Sequence, residues 1–65
     1  MKLEINGEIH EVNASTLAEL LSEMDFGTVP VATAHNGAFI RAPDRAKTVL
    51  LPQDRIEILV PRQGG

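Results

Sequence analysis

The chain contains no cysteine, no tryptophan and no tyrosine. Without cysteine there is no disulfide, no thiolate nucleophile and no Cys-ligated zinc site. Phe26 and Phe39 are the only aromatics, and nine acidic residues against six basic ones leave a formal net charge of −3. A nucleic-acid binder wants basic patches and stacking rings, so that class is set aside. No apolar run approaches the roughly 18 residues that span a bilayer. Met1-Lys2-Leu3-Glu4-Ile5 alternates polar and apolar residues and lacks the continuous apolar core of a signal peptide. The expectation is a cytoplasmic protein with neither nucleic acid nor membrane as partner. At 65 residues the chain is one domain, near the lower size limit for a core without metal or disulfides, with little room for a deep active-site cavity.

What is present reads as alternating strands around one helix. Leu3 and Ile5 share a face in the period-two pattern of a half-buried strand, and Asn6-Gly7 is a hairpin signal because both residues accept positive φ. Glu8–Val12 is the returning strand. A strict two-residue loop turns Ile9 away from Ile5, whereas a three-residue loop with a bulge at Gly7 brings both into one core; the bulge is the expectation. Thr16 and Glu19 make a T-x-x-E capping box ahead of Leu17, Leu20, Leu21 and Met24, an apolar stripe at helical spacing. The helix is expected over Thr16–Met24, with Gly27 as its stop and Phe26 folded back onto the stripe. Val29–His35 reads as a third strand, Asn36-Gly37 as a turn, Ala38–Ile40 as a short partner and Pro43–Lys47 as a single turn. Leu50 and Leu51 are expected to plug the base of the core. Arg55–Val60 is the most strand-like segment, with Ile56, Ile58 and Val60 on one face, and is the best candidate for a central position.

Few side chains suggest chemistry. His10 and His35 have no third ligand at metal-binding spacing, and Ser15, Thr16 and Ser22 have no base placed beside them. Glu8, Glu11, Glu19, Glu23 and Asp25 read as solvated charge. The terminus is different: Pro61-Arg62-Gln63-Gly64-Gly65 follows the last strand directly and ends on two residues without a Cβ. Such an end threads a narrow channel and presents the α-carboxylate of Gly65. The expected organisation is a single domain over residues 1–60 and a flexible tail over residues 61–65. Leu59, opposite Ile56 and Ile58 on its strand, belongs either to an exposed docking patch or beneath loops in the core.

These residues, in this order, resemble the ThiS family of thiamine-pathway sulfur carriers. The resemblance runs from Leu3-Glu4-Ile5-Asn6-Gly7-Glu8 through Thr16-Leu17-Ala18-Glu19-Leu20-Leu21, Val31-Ala32, Asn36-Gly37, Ile40, Arg41, Ala46, Thr48 and Leu50 to Asp54-Arg55-Ile56-Glu57-Ile58 and Gly64-Gly65. Three departures stand out: Arg45 where relatives commonly have Trp, Gln53 where they usually have Gly, and Asn13-Ala14 where Asp-Gly is frequent. The resemblance implies an α+β fold, the ubiquitin-like β-grasp, with a small mixed sheet and one helix across one face. It implies a protein cosubstrate rather than an enzyme, with no bound cofactor. A partner adenylating enzyme, using ATP and Mg²⁺, activates Gly65; a cysteine desulfurase or rhodanese-type protein supplies sulfur; a thiazole synthase receives it. Gly64, Gln63, Arg62 and Leu59 are the expected partner-binding residues. The alternatives are a carrier for another pathway such as molybdopterin, a ubiquitin-like modifier joined to lysine through Gly65, and a β-grasp interaction module whose glycines are incidental.

Overall fold

The computed structural model describes residues 1–61. Two Asn-Gly pairs shape it. In the first hairpin β1 (Lys2–Ile5) pairs antiparallel with β2 (Glu8–Glu11), Ile5 lying opposite Glu8. Asn6 has φ 50° and Gly7 φ 85°, the two positive values that a two-residue type I′ turn requires. The expected bulge therefore does not form. Asn-Gly meets both positive φ values by itself, so no third loop residue is needed, and Ile9 faces away from the core at 66 % exposure. Val12, beyond the strand and buried, fills the core instead.

The helix α1 (Leu17–Glu23) starts at a complete capping box. Thr16 Oγ1 accepts from the Glu19 N–H at 3.2 Å, and Glu19 Oε1 accepts from the N–H groups of Ser15 and Thr16. Its stop is Asp25, at φ 65°, rather than Gly27. A short polar side chain tolerates the left-handed region well enough to end a helix. Leu17, Leu20 and Leu21 are buried, and Met24 and Phe26 pack against them from the rim, as expected. Each fully buried leucine contributes about 1.5–3 kcal/mol, a large share of the stability of so small a domain.

The third strand is shorter than the apolar pattern suggested. β3 spans Ala32–His35 rather than Val29–His35, because Pro30 has no N–H to give to a ladder. It forms a second hairpin with β4 (Ala38–Ile40), closed by Asn36 and Gly37 at φ 50° and 88°. A 3-10 helix over Ala42–Lys47 follows, one residue longer than the turn expected there. Arg45 pins it to the sheet: Nε donates to Thr33 Oγ1 at 3.1 Å and Nη2 to Val31 O at 2.6 Å. Thr33 Oγ1 in turn donates to Ile40 O at 2.8 Å, so the buried hydroxyl is fully used.

Leu50 is buried but Leu51 is 61 % exposed, so only one of the expected pair reaches the core. Successive residues of an extended segment point to opposite sides, and the Leu50 N–H is tied to Ser15 O. β5 (Arg55–Leu59) closes the fold. The five strands lie in the order β2-β1-β5-β3-β4, with β5 parallel to β1 and antiparallel to β3. The sheet lays Leu3, Ile5, Ile56 and Ile58 against α1, and among the described residues its opposite face carries no helix.

Candidate functional site

β5 runs down the middle of the sheet and delivers the chain to Val60 and Pro61, both exposed. Why it stops there follows from register. Glu57 pairs with Ala34 and Leu59 with Ala32. The next pair of that kind along the two strands is Pro61 with Pro30, and neither proline can donate to the other. Strand pairing on the β3 side therefore ends at Leu59.

Each end of β5 is gripped by an asparagine from a neighbouring hairpin turn. At the start, the Arg55 N–H donates to Asn36 Oδ1 at 2.8 Å, while the Asn36 N–H donates to Arg55 O. At the far end β1 has run out, and the Asn6 side chain takes its place. The Ile58 N–H donates to Asn6 Oδ1 at 2.9 Å, and Asn6 Nδ2 donates to Ile58 O at 3.0 Å. The Asn6 backbone N–H is meanwhile bonded to Ile56 O at 2.9 Å. One residue thus supplies two successive rungs of the ladder beside β5.

Asp54, just ahead of β5, organises the entry. Its Oδ2 accepts from His35 Nε2 at 2.7 Å and from the Leu51 N–H at 2.9 Å, and its Oδ1 accepts from Asn36 Nδ2 at 3.2 Å. Burial pushes this carboxyl up, but the hydrogen bonds from His35, Leu51 and Asn36 outweigh it and hold it below the ordinary aspartate range. The other lowered carboxyl is Glu11, whose hydrogen bond to the Met1 ammonium at 2.9 Å and attraction to that charge favour the ionised form. Glu11, Glu19 and Glu23 are therefore more than solvated charge: Glu19 caps α1, and Glu23 accepts from the Asn13 N–H through both oxygens.

The helix-free face carries a shallow concave surface lined by residues of β1, β3, β4 and β5. Leu59 stands on it at 69 % exposure and Phe39 at 68 %, two strands apart across Ala32 and Ala34, with Glu57 and Arg55 alongside. The alternative placement of Leu59, under loops in the core, is thereby excluded. Phe39 and Leu59 are two of seven large apolar side chains exposed among the described residues, and both line this one shallow concave surface. His10 and His35 lie apart, His35 engaged with Asp54 and His10 beside Glu8. No three His, Asp or Glu residues converge into a metal site among the described residues. No helix among them is long and apolar enough to cross a membrane. Arg62, Gln63, Gly64 and Gly65, the expected partner-binding and modified residues of the tail, lie outside the described residues.

Sequence reasoning treated Asn6 and Asn36 only as turn residues and did not single out Phe39. The available signal was the recurrence of Asn-Gly, but no spacing rule links Asn6 to a strand 52 positions away.

The ThiS family model matches residues 3–65 of the chain. Among solved structures, the chain is similar to the crystal structure of a thiamine biosynthesis protein (ThiS) from Geobacter metallireducens. The TM-score is 0.82 at 28 % sequence identity, and the alignment covers 100 % of both chains. No curated protein sequence matches.

Proposed function

The chain belongs to the ThiS family, and from that premise we propose that it is a sulfur carrier of thiamine biosynthesis whose reactive group is the Gly65 carboxylate. The observation that supports this most directly is the placement of β5. A central strand carries the chain to an exposed Pro61 next to an apolar face that stands in water, a placement that suits a terminus handed to a partner.

The chemistry follows from the group itself. With an ordinary α-carboxyl pKa near 3.5, Gly65 is an anion at neutral pH, a poor electrophile that sulfur does not attack. As a nucleophile its oxygen attacks the α-phosphorus of Mg²⁺-bound ATP on a partner enzyme, releasing pyrophosphate and leaving an acyl-adenylate. A sulfide sulfur then adds to the acyl carbon and AMP departs with the bonding pair, which leaves a thiocarboxylate. A persulfide donor gives an acyl disulfide first, and a second thiol is oxidised as that bond is reduced. The carrier contributes position and a leaving-group site, while catalytic groups reside on partners: an adenylating enzyme, a cysteine desulfurase or rhodanese-type donor, and a thiazole synthase as acceptor. Gly64 and Gln63 thread the activating site, Arg62 meets an acidic groove, and Leu59 docks on the enzyme surface.

Intact-mass analysis of the protein from its native host tests this reading. One sulfur in place of one oxygen at the C-terminal residue is the expected result. Isopeptide conjugates of higher mass instead make it a modifier, and an unmodified chain during active thiamine synthesis removes the carrier role.

A further inference from the structure

Beyond its place in the hairpin turn, Asn6 holds a position that the fold alone does not require. β1 ends at Ile5, yet β5 continues past it. The alternation of the ladder points the N–H and C=O of Ile58 to the β1 side, where no backbone remains to meet them. The Asn6 carboxamide meets both, at 2.9 and 3.0 Å. On the other side Leu59 is the last residue paired with β3, because Pro30 and Pro61 end that ladder. The Asn6–Ile58 pair is therefore the last rung on one side of β5 just before the chain leaves the sheet.

We propose that Asn6 is a positioning residue for activation of the C-terminus: its carboxamide clamps Ile58 and so fixes the direction in which the chain exits toward the nucleotide on the adenylating enzyme. This rests on the reading that Gly65 is adenylated. The clamp acts on orientation, not on docking. With the sheet face already seated on the enzyme, a freed Ile58–Pro61 segment samples exit directions that carry Gly65 away from the α-phosphate, and the loss appears in turnover. Misplacement of a reacting group by about 1 Å is enough to cost one to two orders of magnitude.

The test uses the full chain with its cognate adenylating enzyme, ATP and radiolabelled pyrophosphate, reading pyrophosphate exchange against carrier concentration. Asn6→Gly is the informative variant, because glycine keeps the positive φ of the turn without strain and removes only the carboxamide. Asn36→Gly is its control, since it deletes side-chain bonds to Arg55 and Asp54 from a matching Asn-Gly turn at the entry end of β5. Asn6→Gly is expected to lower kcat about tenfold with KM within about twofold of the parent, and Asn36→Gly to leave both near parent values. Equal kcat for Asn6→Gly and the parent overturns the proposal, as does an equal loss in both variants. Absence of exchange in the unsubstituted chain overturns the carrier reading itself, which keeps the two failures distinct. Should Asn6→Gly not fold, amide exchange in the unsubstituted chain decides: the Ile58 N–H is expected to be protected like its neighbours in β5, and exchange as fast as an exposed loop amide shows that there is no clamp.

Discussion

Gln53 carries a backbone conformation that costs an L-residue roughly 1–2 kcal/mol. Its φ is 72°, and its N–H donates to Lys2 O at 2.8 Å, so the turn is locked into the start of β1. Glycine, the residue ThiS relatives usually have here, would remove the strain but add unfolded-chain entropy worth about 0.5–1 kcal/mol. The balance favours Gln53→Gly by somewhat under 1 kcal/mol, a rise in Tm of a few degrees for a domain of this size. Thermal unfolding followed by circular dichroism measures it, and a lower Tm would mean that the Gln53 side chain makes compensating contacts. Arg45 shows the opposite outcome for a departure from the family pattern. Where relatives commonly place a Trp, this chain uses two hydrogen bonds, to Thr33 and Val31, to hold the 3-10 helix on the sheet.

At the scale of elements, β5 has two ends with different duties. Its entry is organised by Asp54, whose carboxyl is held low by His35, Leu51 and Asn36 against the opposing pull of burial. A depressed folded-state value means that this stabilisation is complete above the ordinary aspartate value of 3.8 and is lost as pH falls through the lower folded-state value. Tm recorded from neutral pH down to strongly acid solution should therefore drop more steeply below about pH 4 in the parent than in Asp54→Asn; parallel curves would place the acid sensitivity elsewhere. Its exit end presents Leu59, with Phe39 two strands away on the same face. Because both stand in water, Leu59→Asp should shift Tm by no more than about 2–4 °C, as surface changes usually stay within about 0.5 kcal/mol. If this face docks the activating enzyme, the same change should raise the apparent KM at least about tenfold, the effect of losing a central apolar anchor. An unchanged KM would leave the patch without a part in activation.

For the molecule as a whole, the proposed chemistry at Gly65 would be separable from folding. The described core lies within residues 3–58, from Leu3 to Ile58, so removal of Gly65 should leave Tm unaltered while abolishing pyrophosphate exchange; retained exchange would move the reactive group elsewhere. The same separation explains what was legible from sequence. Periodicity exposed α1, both hairpins and the central last strand because each depends on neighbours a few residues apart. The Ile9, Leu51 and Gly27 expectations failed at local choices: Asn6-Gly7 meets both positive φ values of a two-residue turn, alternation turns Leu51 away from Leu50, and Asp25 takes up positive φ before Gly27 is reached. The Asn6 and Asn36 grips on β5 were illegible because they join distant segments: a turn residue looks the same whether or not its amide also reaches another strand. The facing prolines, Pro30 and Pro61, carry a last consequence. They leave β3 no N–H with which to extend its ladder past Leu59, so on that side the described part of the sheet lets go of the chain there, and an enzyme taking hold of it beyond Pro61 would have no β3 rung to break.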